Sequence, residues 1–138
     1  MRSSKATFPL LGTWKITKGE SSRPELPHPV SGSTTFAQED DAIHYSTDGV
    51  WSGGRTSHVS AILRLDGNWS PLTGSLVADA LSFRPLADGS FEARMRKGDL
   101  DVGTGRFTVS ADGRTMTGSW EFFGARGTVT WKTTSERQ

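Results

Sequence analysis

The chain alternates apolar and polar residues along short stretches, which is typical of β-strands with one buried face. The clearest stretch is 57–65, where Val59, Ala61, Leu63 and Leu65 form one apolar stripe. No window of a dozen residues has the 3.6-residue period of an amphipathic helix. The alternation predicts nine strands, over residues 11–18, 33–38, 42–47, 57–65, 75–83, 90–97, 100–110, 114–123 and 127–133.

Turn sequences between these stretches indicate how the strands are connected. Asp-Gly, which tolerates the positive φ of tight hairpin turns, occurs at Asp48-Gly49, Asp66-Gly67, Asp88-Gly89 and Asp112-Gly113. Successive strands joined by tight turns form an antiparallel meander, and closing the meander removes its exposed edges. We therefore expect an all-β, single up-and-down barrel of about eight to ten strands, spanning residues 1–138 with flexible segments at 1–8 and 134–138.

The two ends of this barrel are expected to differ. Residues 19–32 contain Pro24, Pro27 and Pro29 and show neither the two-residue period of a strand nor the 3.6-residue period of a helix. They therefore predict a long loop over one end of the barrel. Strict up-and-down order puts the turns near Asp48, Asp88 and Asp112 at that end. It puts the turns near Asp40, Asp66, Gly98 and Ala125 at the other end, where Trp14 and Trp120 would form a plug.

One strand is expected to bend. Within 100–110 the apolar phase changes from Leu100 and Val102 to Phe107 and Val109, across Gly103 and Gly105. A β-bulge at these glycines would account for the change and help the sheet to curl.

Charge and composition exclude several classes of function. Sixteen Lys and Arg balance fifteen Asp and Glu, so no global field attracts nucleic acid or an anionic membrane, and neither is expected as a partner. Basic Arg94 and Arg96 are expected on a solvated strand face. The basic first residues precede an apolar stretch that is too short for a signal peptide, which favours a cytoplasmic protein.

Metal and cofactor chemistry has no support in the sequence. The chain has no Cys, and the spacings between His28, His44 and His58 match no ligand motif. We expect solvated histidines, no metal, no cofactor and no catalytic residue.

The first strand carries a recognisable motif. Leu11-Gly12-Thr13-Trp14 contains Gly-x-Trp and resembles the opening of lipocalins and related calycins, although avidin-like barrels open with it as well. The absence of Cys makes the chain more similar to small bacterial lipocalin-like domains. The resemblance implies an antiparallel barrel that binds small hydrophobic molecules, with a basic residue of the last strand packed over Trp14. Arg126 and Lys132 are both candidates for that residue.

Residues that alternation directs into the barrel are the candidate ligand site, together with Trp51 at the mouth. Phe83 and Phe91 are among those expected nearer the mouth. The sequence leaves open whether these side chains fill the interior or line a cavity. The predicted ligand-binding residues are Tyr45, Trp51, Val59, Leu63, Asp79, Phe83, Phe91, Met95, Met116 and Trp131.

Asp79 has two interpretations. It lies inside the barrel if Val77, Leu81 and Phe83 define the buried face, and a buried carboxylate would then need a partner or a proton. It lies in solvent if Leu76, Ala78 and Ala80 are buried instead.

These observations favour non-catalytic binding of a small, mainly hydrophobic molecule, oriented by Tyr45 or Asp79. One alternative is a barrel enzyme, such as an isomerase, cyclase or hydratase, that uses Asp79 or Tyr45 as acid or base. Another is a solid-core barrel whose outer surface binds partners. A homodimer is compatible with each of them.

Overall fold

The computed structural model describes residues 8–75, 77–124 and 127–138, and they form ten β-strands. The strands are β1 (Gly12–Ser21), β2 (Pro29–Glu39), β3 (Ala42–Trp51), β4 (Thr56–Leu63), β5 (Ser70–Thr73), β6 (Ala80–Pro85), β7 (Phe91–Lys97), β8 (Leu100–Val109), β9 (Thr115–Gly124) and β10 (Gly127–Arg137).

The strands close into a barrel. Each strand pairs antiparallel with the next along the chain, and β1 also pairs with β10. The closing register sets Trp14 opposite Arg137 and Ile16 opposite Ser135. The predicted up-and-down antiparallel barrel is confirmed. Over the described ranges, no helix has the length and hydrophobicity needed to cross a lipid bilayer.

One strand was absent from the sequence-based prediction. β5 has four residues, includes Pro71, and pairs through only two residues with each neighbour. A proline in such a short stretch indicates a loop, yet it is tolerated where few ladder bonds are needed. The predicted strand 75–83 accordingly begins only at Ala80, and Leu76 of that stretch lies outside the described residues.

The extra strand reverses the direction of every strand that follows it. Two ends can be defined: the loop end, with residues 22–28, 52–55, 74–79 and 98–99, and the closed end, with 40–41, 64–69, 86–90 and 110–114. The turns at Asp88 and Asp112 therefore lie at the closed end, and the turn at Gly98 lies at the loop end. The predicted placement of these three turns was wrong for this reason; the turn near Ala125 lies outside the described residues.

The loop between β1 and β2 is shorter than predicted. Gly19 to Ser21 continue β1 because they pair with β10, and β2 already begins at Pro29. The loop is thus 22–28. Its end is tied to the neighbouring loop, since the Ser52 backbone N–H donates to the His28 carbonyl (2.8 Å). His28 is buried rather than solvated, while His44 and His58 are exposed.

Three of the four Asp-Gly pairs form turns, and all three use the same hydrogen bond. The carboxylates of Asp66, Asp88 and Asp112 each accept from the backbone N–H two residues later, at 2.9 to 3.1 Å. The following glycines have φ between 74° and 88°, where a side chain would be strained. Asp48-Gly49 instead lies inside β3, so the prediction of a turn there was wrong.

The closed end is sealed around Trp14. The indole is completely buried, and its Nε1 donates to the Leu10 carbonyl at 2.9 Å. The Arg137 guanidinium lies 4.2 Å from the centre of the Trp14 ring and donates to the carbonyls of Pro9 and Gly113.

Three expectations about this end are corrected. The basic residue over Trp14 is Arg137; Lys132 is exposed at mid-strand, and Arg126 lies outside the described residues. Residues 134–137, expected in a flexible tail, belong to β10 because they pair with both β1 and β9. Phe8, expected in a flexible segment, is buried in the core.

The half of the interior next to the closed end is filled with aromatic rings. Phe8 packs edge-on against Phe91 (4.9 Å between centroids), and Phe83 stacks on Phe91 (5.6 Å). Phe36 and Phe107 complete the cluster. Rings at these separations and angles are in favourable contact, so this half is a solid core.

Glycines of β8 make room for aromatic rings of β9. A Cβ on Gly105 would lie 2.6 Å from the Trp120 ring, and one on Gly103 would lie 2.9 Å from Phe122. The bulge is at Val102, one residue before Gly103, since Met95 and Arg96 of β7 pair with Gly103 and Asp101. Trp120 lies toward the loop end, so its predicted place in the closed-end plug was wrong.

The basic residues of β7 face outward and have partners. Arg94 donates to Asp101 at 3.0 Å, and the Arg96 guanidinium lies 4.1 Å from the centre of the Trp69 ring. Trp69 is thereby held on the outer surface, away from the interior.

Candidate functional site

The loop-end half of the barrel is hollow. An inner chamber of about 120 Å³ lies above the aromatic core, and an outer chamber of about 310 Å³ reaches the loops at Pro27, Arg55 and Gly74. The two chambers adjoin because they share lining residues, among them Trp51, Val59 and Trp131. Together they form a cavity that opens between the loops.

Aromatic side chains form one wall of the cavity. The rings follow each other from the core to the mouth: Trp120 contacts Phe107 (5.6 Å), Phe122 lies over Trp120 (5.9 Å) and Trp131 contacts Phe122 (4.4 Å). At the mouth, Trp51 meets Trp131 edge-to-face at 5.2 Å. The cavity therefore presents a continuous aromatic surface from the core to the mouth.

Six of the predicted ligand-binding residues line the chambers: Tyr45, Trp51, Val59, Met95, Met116 and Trp131. Leu63, Phe83 and Phe91 belong instead to the solid core. Phe83 and Phe91, expected near the mouth, lie at the closed end because β5 reverses the direction of β6 and β7. Leu63 is at the closed end of β4 and lines neither chamber.

Asp79 lies outside the barrel. Its carboxylate is exposed and accepts from the Gly98 backbone N–H at 3.0 Å, which links the loops 74–79 and 98–99. Of the two interpretations of Asp79, the one with Ala78 buried and Asp79 in solvent is observed, so the prediction of Asp79 as a ligand-binding residue was wrong. Asp79 and Tyr45 consequently do not face one cavity.

Tyr45 begins a chain of three hydroxyl groups along one wall. Its hydroxyl oxygen lies 3.0 Å from Thr47 Oγ1, which lies 3.1 Å from Thr34 Oγ1. Burial raises the pKa of Tyr45, while the hydrogen bond with Thr47 acts in the opposite direction. The phenol therefore stays neutral, and three O–H groups share two hydrogen bonds with one another, which leaves one proton free to donate elsewhere.

Two side chains that line the cavity carry a buried polar atom without a partner in the described part of the chain: Trp131 Nε1 and Ser135 Oγ. The Nε1 groups of two other indoles are satisfied, since Trp14 donates to Leu10 and Trp51 donates to Ser57 Oγ at 2.9 Å. An unpaired buried donor costs about 1–3 kcal/mol, and such groups are rare enough to need an explanation.

The charged groups are confined to the mouth. No charged side chain among the described residues lines the inner chamber, and Arg55 lies at the rim of the outer one. The described residues contain no group of three or more His, Asp or Glu that could hold a metal ion. The cavity is thus apolar, with a few neutral hydrogen-bonding groups.

Sequence reasoning missed part of this wall. Trp120 and Phe122 line the cavity, although only Trp51 and Trp131 of these aromatic residues were expected there. Alternation in 114–123 places Trp120 and Phe122 on the same face of the strand. The signal that could have located their rings is the pair Gly103 and Gly105 on the neighbouring strand, which leaves room for them. Ser135 was missed because residues 134–138 were expected to be outside the barrel.

Comparisons with known proteins identify the fold. The sequence matches no protein-family model and no curated protein. Among solved structures, the S-type phycobiliprotein lyase of Guillardia theta is similar with a TM-score of 0.58 at 12% identity, over 94% of this chain and 88% of that one. The redesigned β-barrel mFAP1 bound to DFHBI is similar with a TM-score of 0.57 at 15% identity, over 97% and 100% of the two chains.

A third similar structure is the zebrafish ileal bile acid-binding protein complexed with cholic acid, with a TM-score of 0.50 at 12% identity over 94% and 99% of the chains. At such identities the likeness shows the fold alone. The predicted lipocalin-like barrel is confirmed at that level.

Proposed function

We propose that the protein reversibly binds a small, mainly hydrophobic molecule in the loop-end cavity and does not transform it. The observation that carries this proposal is the division of the interior: the closed-end half is packed with rings, while the loop-end half is hollow, lined by aromatic residues and open between loops. A barrel that served only as a solid scaffold would gain stability by filling this space.

The cavity has the properties of a small-molecule site. The outer chamber alone is about 310 Å³, within the range of ligand pockets, and its walls are mostly apolar with a few hydrogen-bonding groups. Burying about 200 Å² of apolar ligand surface there would contribute about 5 kcal/mol before the costs of association. Tyr45, Trp51, Val59, Met95, Met116 and Trp131 are the proposed contacts.

Two of the similar structures support the proposal. The redesigned barrel holds DFHBI and the zebrafish protein holds cholic acid, so this fold can enclose a small organic molecule. The enzyme alternative has less support, because Asp79 and Tyr45 do not converge on one cavity. The solid-core alternative conflicts with the hollow half.

The test is a titration with the neutral apolar fluorophore N-phenyl-1-naphthylamine, whose emission increases in apolar surroundings. Val59 lines both chambers, and Val59→Trp should fill them and weaken binding at least about tenfold. The matched control is Ile62→Trp, which enlarges a side chain of the same strand that is 56% exposed on the outer face. Ile62→Trp should bind as the wild type does.

Native mass spectrometry of the purified protein, and of each variant with the fluorophore, gives the stoichiometry independently. A wild type that neither carries a ligand nor binds the fluorophore would refute the proposal. Equal binding by folded Val59→Trp would place the fluorophore outside the cavity and refute it as well.

A further inference from the structure

The two unpartnered polar groups of the cavity lie on the same strand and the same wall. Trp131 and Ser135 are four residues apart on β10, so their Cα atoms are separated by about 13 Å along the strand. Trp131 lies at the mouth, against Trp51. Ser135 is 1% exposed and lies at the floor, opposite Met116 of β9 and Ile16 of β1.

The chemistry of each group restricts what it can bind. An indole N–H only donates, so Trp131 needs a hydrogen-bond acceptor. The Ser135 hydroxyl can donate or accept, and the free O–H of the Tyr45–Thr47–Thr34 chain can donate. All three groups can donate and the indole can only donate, so the set favours a ligand with oxygen or nitrogen acceptors.

The charge of the ligand is restricted as well. The inner chamber has no cationic side chain among its described lining residues, and an ion without a counter-ion is costly in an apolar site. Among the described residues that line the outer chamber, the cation is Arg55, at the rim. A carboxylate would therefore be excluded from the inner chamber.

We propose that the cavity selects a neutral, elongated aromatic molecule whose hydrogen-bond acceptor is held by Trp131 Nε1, with a second polar atom held at the floor by Ser135 Oγ. This inference rests on the proposed function and adds the ligand class and the two residues that determine specificity. The aromatic wall packs against the rings of the ligand, and the orphan groups are satisfied only in the complex.

Three naphthalenes that differ in one substituent test the acceptor. The ketone 2-acetylnaphthalene carries a neutral acceptor, 2-ethylnaphthalene has none, and 2-naphthoate is anionic. The affinity of each compound is measured by its displacement of N-phenyl-1-naphthylamine from the wild type and from each variant. Because the ketone and the hydrocarbon share the naphthalene ring, the ratio of their affinities reports the contribution of the acceptor alone. Trp131→Phe should reduce this ratio about fivefold, since it deletes the N–H and retains an aromatic ring.

Trp51→Phe is the matched control. Trp51 stands against Trp131 at the same mouth, but its Nε1 already donates to Ser57. Trp51→Phe should weaken both neutral compounds alike and leave the ratio unchanged. In the wild type, 2-naphthoate should bind at least about tenfold more weakly than the ketone.

Ser135→Ala supplies a readout that needs no ligand. Removing an orphaned hydroxyl should raise the melting temperature of the free protein by about 3 °C, whereas removing a hydroxyl with an internal partner should lower it. A lower melting temperature would overturn the role of Ser135.

The outcomes separate the two proposals. A ratio that is unchanged in Trp131→Phe, while both neutral compounds still bind, overturns the ligand class and leaves the binding function intact. Tightest binding of 2-naphthoate, lost in Arg55→Gln, also overturns it in favour of an acidic ligand at the rim. If neither N-phenyl-1-naphthylamine nor any naphthalene binds, the proposed function itself fails.

Discussion

Tyr45 is the sole tyrosine of the chain, so its ionisation can be followed without interference. Burial is the main cause that raises its pKa. A raised pKa in the folded state contributes stability that is complete below the unfolded value of about 10 and is lost as the pH rises through the folded value. We predict that the tyrosinate absorbance rises only above pH about 10, together with the loss of near-ultraviolet circular dichroism.

Tyr45→Phe is the control, because it removes the absorbance change while the barrel remains folded. Titration of Tyr45 at its ordinary value in the folded protein would show that the hydroxyl chain is open to water.

Arg137 holds the closed end through two kinds of contact. Its guanidinium lies 4.2 Å from the centre of the Trp14 ring and donates to the backbone carbonyls of Pro9, before β1, and of Gly113, in the turn between β8 and β9. Arg137→Ala should lower the free energy of unfolding by about 2 kcal/mol, as measured by urea denaturation. Arg137→Lys should restore only part of the lost free energy of unfolding, because an ammonium group cannot reproduce the planar set of N–H donors of the guanidinium. A loss of less than about 0.5 kcal/mol in Arg137→Ala would contradict this account.

Single residues were predictable where the strand is regular. Tyr45 and Val59 were directed inward by alternation in long paired strands, and both line the cavity. Alternation left two orientations open for Asp79, and the hydrogen bond to Gly98 that accompanies the outward one is a contact between separate loops, which the sequence does not show. The unpaired state of Trp131 Nε1 was not predictable either, since it depends on what stands across the cavity.

At the scale of elements, one short strand explains most of the errors. β5 is four residues long and contains Pro71, so neither length nor propensity distinguishes it from a loop. Closure requires it, because β4 and β6 each pair with it and not with one another. A prediction without β5 still gives a barrel, but it reverses the direction of every later strand. It therefore placed Phe83 and Phe91 at the mouth, whereas they lie at the closed end.

The Asp-Gly turns of the closed end predict the acid stability of the barrel. Hydrogen bonds from Ser110 Oγ and the Arg114 N–H lower the pKa of Asp112, and those from Ser90 lower the pKa of Asp88. A lowered pKa contributes stability above the unfolded value of about 3.9 that is lost as the pH falls through the folded value. The melting temperature should therefore decline below pH about 4.

Asp112→Asn should flatten this decline, because an amide does not titrate. Ser110→Ala, which removes the donor with the largest effect on Asp112, should flatten it in the same direction. A decline of unchanged steepness in both variants would show that other carboxylates control acid unfolding.

Gly105 tests how β8 shapes the cavity wall. A side chain there would contact the Trp120 ring at 2.6 Å, so Gly105→Ala should push the indole into the inner chamber. We expect about a tenfold weaker affinity for N-phenyl-1-naphthylamine, while Thr104→Ala, its outward neighbour, should leave the affinity unchanged. Wild-type affinity in Gly105→Ala would contradict this prediction, because it would show that the added methyl group does not push Trp120 into the chamber.

At the scale of the whole molecule, the barrel has two halves with different tasks. The closed end is stabilised by Trp14, Arg137 and the phenylalanine cluster, so the loop end does not have to be filled. Alternation and turn sequences predicted the closed antiparallel barrel, and Gly-x-Trp indicated the lipocalin-like fold. They left open whether it is hollow, because that depends on how side chains of different strands meet in space.

The most direct test of ligand binding in the cavity is the nitrogen-15 NMR spectrum of the five indole N–H groups, recorded with and without N-phenyl-1-naphthylamine. Trp51, Trp120 and Trp131 line the cavity, whereas Trp14 is sealed in the closed end and Trp69 is on the outer surface. We predict shifts of the first three resonances and unchanged positions for the other two. Unchanged resonances of the three cavity indoles, or shifts concentrated at Trp69, would contradict binding inside the barrel.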